Sequence, residues 1–298
     1  MNRSALPLLC LACIAGIIRP ALAEAADSDP TVAMQAMHQR VKNTLDNPGP
    51  KNPFYLQARS NKNTESGEAA AYLPLSLDEV TNALSTVSHW CNILPLHINV
   101  KTCTYSQAGD TMTLYMGRKF YQAPEDAYEL TYTFKTITSD NYFAAIAQAE
   151  KGPFKTSNYQ IKLEFISIDD KTFGRFLVSN QQSWLSRQGM LTYLATKGRN
   201  KQGIKVIEHD KQGNPVYSSG AEGVAERNLV RYFLAFLTFF DSATETDMEK
   251  RYTIQLNDWF DRSEAFPQLY EMSKQQYLHD KLKERTNQRA MQAANRQE

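Results

Sequence analysis

The sequence predicts an α+β fold: a curved antiparallel sheet wrapped on a long C-terminal helix, with extra helices at both ends. Two observations carry this. Short segments from Thr111 to Ser179 alternate apolar and polar residues, the period of half-buried antiparallel strands. They precede a helix, Glu222 to Phe240, whose polar stripe is reduced to Arg227, Arg231 and Thr238. A helix so apolar needs cover on nearly all sides, and the preceding sheet supplies it. That arrangement often leaves a hydrophobic cavity between sheet and helix.

Met1 to Ala23 reads as a secretory signal. Arg3 supplies the positive start, Ala5 to Ile18 is apolar, and Ala21-Leu22-Ala23 is a small-x-small cleavage site. The apolar run is too short for ~30 Å of hydrocarbon. The expected destination is secretion across the inner membrane, the periplasm if the source is Gram-negative. Arg3 and Arg19 would leave with the signal, so 31 of the 33 basic residues would face 32 acidic ones, a net charge of −1. Such balance gives no overall attraction to nucleic acid. The expected division is 1–23 signal, 24–53 N-terminal helix and linker, 54–242 sheet and helix, and 243–298 helical extension.

Of the four cysteines, Cys10 and Cys13 lie in the signal and Cys91 and Cys103 remain. In an oxidising compartment two cysteines most simply form one disulfide. Free thiols are one alternative. Another uses His89, Cys91, His97 and Cys103 as metal ligands, although that spacing lacks the C-x2-C clip of common zinc sites.

Met34, Met37, Val41 and Leu45 place a short amphipathic helix over 31–45, which a Pro- and Gly-rich segment, 46–53, then breaks. Phe54 to Ser60 and Ala70 to Pro74 read as a hairpin joined by the polar tract 61–67. Ser76-Leu77-Asp78-Glu79 has the form of a capping box, opening a helix that ends near His89-Trp90. Strands are expected over 98–105, 111–121, 128–134, 142–149, 159–168 and 172–180. Trp184 to Lys197 switches to helical spacing, with Leu191 and Leu194 on one side and Gly198 as the C-cap. A last hairpin spans 204–208 and 215–218. Beyond Ser242, residues 249–261 carry enough apolar side chains to pack a helix on the body, and Pro267 starts another. The charged stretch from Lys281 is expected to be a solvated or frayed helix.

No nucleophile elbow, H-E-x-x-H, phosphate loop or dinucleotide-binding glycine motif is present, so the reading names no catalytic residue, cofactor or metal. His89-Trp90 reads either as a helix end with Trp90 in the core or as a general base with Trp90 lining a pocket. Arg118 and Lys119 interrupt an alternating strand, so one of them should face inward unless the strand bulges. Glu129 and Glu164 on neighbouring strands are the expected partners, and the sharper reading has Arg118 gripping a ligand head group. Arg227 and Arg231 either fringe the solvent, paired with Glu226 or with acids of the tail, or clamp an anion at the cavity mouth. Met112, Met116, Tyr128, Tyr132, Phe134 and Tyr159 line a cavity or fill a dry core. The basic loop Lys197, Arg199 and Lys201 has the charge to touch phospholipid head groups.

The stretch Tyr72-Leu73-Pro74-Leu75-Ser76-Leu77-Asp78-Glu79-Val80, the meander after it and the closing helix Val224 to Phe240 resemble the helix-grip superfamily. That superfamily, SRPBCC, includes START lipid-transfer domains, the birch-pollen allergen group and polyketide cyclases. The likeness covers about Phe54 to Phe240 and rests on pattern, with no invariant motif. It implies a hydrophobic ligand, such as a lipid, held between sheet and helix, and it carries over no catalytic residue. The inserted helix Trp184 to Lys197 and some fifty residues after the closing helix depart from the pattern.

The leading expectation is an exported protein that binds or shuttles a hydrophobic small molecule or lipid. A second is a cyclase-like or hydrolytic enzyme using His89 or His97, which requires one of these histidines to point into the cavity. A third is an interaction protein whose charged tail docks on an envelope complex, on a body that folds without it.

Overall fold

The computed structural model describes residues 29–48 and 54–295. The signal, the end of the linker (49–53) and Arg296 lie outside the described residues. Among the described residues no helix is long and apolar enough to cross a membrane.

Helix α1, Pro30–Asp46, starts on the Asp29 side chain, which accepts from the Thr31 N–H, with Pro30 in the first turn where its missing N–H costs nothing. Strands β1 (Tyr55–Ser60) and β2 (Thr64–Leu73) form the opening hairpin, and most of the supposed turn tract is strand. The capping box is real: Ser76 and Glu79 satisfy each other's N–H groups and open α2, Leu77–Leu84. The helix does not run on to Trp90. It stops at Ser85, and a second short helix, α3 (Val87–Ile93), carries His89, Trp90 and Cys91.

Six strands follow: β3 (Val100–Tyr105), β4 (Thr111–Met116), β5 (Tyr128–Ser139), β6 (Tyr142–Lys151), β7 (Ser157–Ile168) and β8 (Lys171–Gln181). All eight make one antiparallel sheet in the order β1-β2-β8-β7-β6-β5-β4-β3, so the first hairpin joins the meander through β2 and β8. Helix α4 (Trp184–Ala195) and the small hairpin β9 (Val206–His209) with β10 (Pro215–Tyr217) precede the long helix α5, Gly220–Asp241. Helices α6 (Met248–Glu264) and α7 (Lys274–Asn295) follow.

The expected class is therefore the observed one, an α+β protein with a large antiparallel sheet, a long C-terminal helix and extra helices at both ends. The main core lies between the inner face of the sheet and α5, joining Leu114, Tyr132, Leu163 and Phe176 to Leu229, Phe233 and Phe236. Gly67 lets the helix come close, since a Cβ there would stand 2.9 Å from a Leu229 methyl. A second core lies on the outer face, where Met34, Met37, Val41 and Leu45 of α1 cover Ala144, Ile146, Ile166 and Phe173. This is why β6 is buried on both faces from Tyr142 to Ala147 instead of alternating.

The tail corrects the sequence reading. Helix α7 is not a solvated helix, because Tyr277, Lys281, Glu284 and Gln288 are buried against β3 and the turn before it. Lys281 Nζ donates to the carbonyls of His97 (2.9 Å) and Val100 (2.8 Å) and to Glu284 (2.8 Å). Lys101 Nζ donates to the carbonyls of Ile98 (2.8 Å) and Phe120 (3.0 Å) and to the other oxygen of Glu284 (2.8 Å). Composition showed the charges of Lys281 and Glu284 but not the buried partners they find.

Candidate functional site

Between the inner face of the sheet and α5 lies a chamber of about 330 Å³. Leu130 and Tyr132 of β5, Ile161 of β7 and Val178 of β8 form its floor, and Ala225, Leu229 and Tyr232 of α5 its roof. Beside it, beneath α4, runs a groove of about 680 Å³. Phe154, Ser186, Met190 and Asn228 border both. A larger, predominantly polar trough of about 890 Å³ on the outer face is lined by Glu129, Thr131, Thr133, Gln148 and Gln160, a poorer match to a hydrophobic molecule than the chamber.

Helix α4 is attached to the mouth by polar contacts. Its N-cap Ser183 donates to the Phe154 carbonyl at 2.6 Å. Phe154 and Lys155 hold positive φ of 55° and 60°, a conformation that costs non-glycine residues energy. No residue of α4 is buried; Ser186, Met190 and Tyr193 border the chamber or groove, while Leu191 points to solvent at 55% exposure. The expected Leu191 face is thus not the packed one. The helix ends at Ala195 with Thr196 as its C-cap, two residues before the expected Gly198, which donates its N–H to the Tyr193 carbonyl at 2.8 Å and lies so close to the Tyr193 ring that a Cβ would stand 2.5 Å from it.

Burial disfavours the charged form of every acidic group bordering the chamber. Burial pushes the Tyr132, Tyr159 and Tyr232 hydroxyls above their ordinary range, with Tyr232 and Tyr159 adding to the rise at Tyr132, Tyr159 to that at Tyr232, and Glu65 to that at Tyr159. The Tyr159 hydroxyl also pairs with Thr156 Oγ1 at 2.7 Å. Burial raises Glu65 as well, against the opposing pull of a hydrogen bond with Gln182, and its Oε1 has no partner. A chamber walled this way suits an uncharged, largely apolar group.

The groove has the opposite character. Glu271, just before α7, is approached by Lys119 at 2.6 Å, Lys201 at 2.5 Å and Arg231 at 3.2 Å. Burial opposes ionisation of Glu271, yet the ammonium groups of Lys119 and Lys201 hold it below the usual carboxylate range. Burial pushes Lys119 down to about 8, against the pull of Glu271. Burial likewise lowers Arg231 to about 10, with Glu271 opposing and Arg227 adding to the fall.

The ten sequence candidates fall into three groups. Met116, Tyr132 and Tyr159 border the chamber, and Arg227 and Arg231 border the groove. Trp90, Met112 and Phe134 belong to the packed core; Trp90 is fully buried, its ring edge-on to Phe134 and Phe236 and its N–H donated to the Leu84 carbonyl. Arg118 and Tyr128 are exposed, so neither grips a ligand inside. The strand ends at Met116, which turns Arg118 outward and leaves Lys119 as the inward cation. Glu164 is taken on the outer face by Arg175, Lys162 and the Tyr142 hydroxyl, and Glu129 is exposed. Arg227 and Arg231 do not fringe the solvent, being 3% and 2% exposed, although Arg231 does pair with an acid of the tail.

Neither histidine borders the chamber or the groove. His89 Nδ1 faces the Ala83 carbonyl at 2.7 Å. His97 is buried and stacked on Tyr232, 4.2 Å between centroids, and its Nδ1 accepts the Asn99 N–H, which leaves the proton on an unpartnered Nε2. Cys91 and Cys103 are bonded to each other, joining α3 to β3 across a Cα separation of 5.0 Å. Glu65, Glu271, Phe154 and Met190 escaped the sequence reading. Glu65 sat in a tract taken for a turn, and Glu271 in a segment with no periodicity to orient it.

No family model matches the chain, and no curated protein matches it. Solved structures do align. A STAR-related lipid transfer protein fragment from Xanthomonas axonopodis aligns with TM-score 0.33 and 9% identity, over 47% of this chain and 85% of that one. Human STARD10 aligns with TM-score 0.28 and 7% identity, over 54% and 74%. The quaternary ammonium Rieske monooxygenase CntA aligns with TM-score 0.23 and 10% identity, over 72% and 57%. The first two belong to the START-type group that the sequence resembles. At these scores the functional reading rests on the chain's own geometry.

Proposed function

We propose that this protein binds a hydrophobic small molecule or lipid-like molecule in the chamber between the sheet and α5. The observation that carries the proposal is a roughly ligand-sized space between sheet and helix with an apolar floor and roof, where burial disfavours charge on the acidic groups that border it. The strained Phe154 turn and the exposed α4 border its mouth, where local opening requires little loss of packing. The signal-like Met1 to Ala23 and the bonded cysteines support export, to the periplasm in a Gram-negative source. Shuttling of the bound molecule, and contact with a membrane or envelope protein, belong to the same proposal.

Native mass spectrometry of the protein isolated from its own compartment, followed by organic extraction, tests it. A stoichiometric apolar molecule is expected. A protein that carries none and takes up none of an added lipid extract contradicts the reading. Ala225→Trp, on the half-buried roof of the chamber, is expected to abolish uptake while the far-ultraviolet circular dichroism stays unchanged.

A further inference from the structure

The groove beneath α4 holds more positive charge than the protein neutralises. Lys119, Lys201 and Arg231 share the single carboxylate of Glu271. Arg227, one helical turn before Arg231, is buried and donates to the Gln202 carbonyl at 2.6 Å. Among the described residues no other carboxylate lies within ion-pair distance of these four cations. A buried charge is costly unless it is matched and hydrogen-bonded. Arg231 is 2% exposed and borders the groove, yet its Nε has no hydrogen-bond partner. The loop after β4, the loop after α4, the helix α5 and the loop before α7 each deliver one or two of these side chains to the same place. Guanidinium groups present a planar fork of donors that fits carboxylate and phosphate oxygens.

We infer that the groove is a head-group site for an anion, a carboxylate or a phosphate, carried on the hydrophobic molecule whose apolar part occupies the chamber. This rests on the chamber reading above and names the class of molecule: a single-chain anionic amphiphile. The shared borders, Phe154, Ser186, Met190 and Asn228, put head and tail sites next to each other. Glu271 is the internal counter-ion, and an incoming anion shares its cations. The amphiphile's head accepts from Arg231 and Arg227, with Lys119 and Lys201, each 29% exposed, closing from the solvent side.

Isothermal titration calorimetry with dodecanoate, dodecyl phosphate and dodecanol tests this, with inorganic phosphate as a competitor. The two anionic amphiphiles are expected to bind about tenfold or more tightly than dodecanol. In Lys119→Gln/Lys201→Gln, whose side chains are partly exposed, that advantage is expected to shrink to about twofold while dodecanol binding stays the same. Inorganic phosphate should compete with the anionic amphiphiles and leave dodecanol alone. Equal affinity for all three amphiphiles overturns the anion site and leaves the chamber reading standing. Failure of all three to bind overturns both. Phosphate that binds tightly while the amphiphiles are excluded makes the groove a free-anion site and overturns the head-group assignment. A second readout comes from Glu271→Gln, which is expected to melt at lower temperature and to be restored by phosphate more than the wild type is. A melting loss indifferent to phosphate would make Glu271 a structural residue and contradict the site.

Discussion

Two regions of the molecule put several cations around one carboxylate, and they resolve the imbalance differently. Under α7, Lys101 and Lys281 share Glu284, and each ammonium fills its remaining two donor positions with backbone carbonyls. Nothing is left to satisfy, and the cluster is sealed between β3 and α7. Beneath α4, three cations share Glu271 and a fourth stands one helical turn away, but among the described residues only Leu269 and Gln202 supply carbonyls, and Arg231 Nε is left over. The sealed cluster is architecture, because carbonyl dipoles stand in for the missing anion. The open one borders a groove and is short of acceptors, which is the condition of a binding site. Net charge alone does not separate the two; the count of acceptors does.

The largest effect that sharpens this contrast is expected from Glu284→Gln. It strips the shared carboxylate from two buried lysines and should cost about 3 kcal/mol or more in urea unfolding, with no rescue by phosphate. A cost within 0.5 kcal/mol, against the ~3 kcal/mol expected for breaking a buried pair, would break the contrast. Removing the disulfide as Cys91→Ala/Cys103→Ala comes next. It closes a loop with a sequence separation of 12, and about 3 kcal/mol is the chain-entropy expectation. Cys91 also presents its carbonyl to Gln288 of α7 at 2.6 Å, so the same variant should raise hydrogen exchange in α7 before exchange in α4.

A smaller effect concerns His97, which lies near both clusters. Burial, then Arg231, Lys281 and Lys101, hold its folded pKa well below the ordinary 6.5. As the pH falls past 6.5 the unfolded chain takes up a proton that the folded ring refuses. Stability is therefore full above that value and declines below it. The urea midpoint should fall between pH 7.5 and 5.5, and His97→Gln should flatten that fall; an unchanged slope would show the ring titrating normally. The smallest stability effect belongs to Lys119→Gln, within about 0.5 kcal/mol by thermal melting, because the lysine is partly exposed and Glu271 retains two other cations.

Periodicity made most of the frame legible. The meander, the capping box at Ser76 and Glu79, and the enclosed helix α5 all follow from spacing two or three to four residues apart. What periodicity could not show is which second surface a face meets. The outer-face cover by α1 turned an alternating β6 into a doubly buried strand, and α7 looked solvated because its lysines and glutamates find partners only in the tertiary structure. The site was half legible. Met116, Tyr132 and Tyr159 follow from strand alternation, and Arg227 and Arg231 from the narrow helix stripe. The choice of Arg118 failed because the strand ends at Met116 and not at Tyr121, so strand alternation no longer sets where Arg118 points. Glu271 lay in an aperiodic connection, where only three-dimensional convergence gives a carboxylate its role.

The most direct measurement is a crystal structure of the protein soaked with 12-bromododecanoate, read by bromine anomalous scattering. The bromine is expected inside the chamber between Ile161 and Leu229, with the carboxylate at Arg231 and Lys119. Bromine bound elsewhere, or a chamber closed by repacked Tyr132 and Tyr232 side chains, would contradict the chamber and the head-group site together.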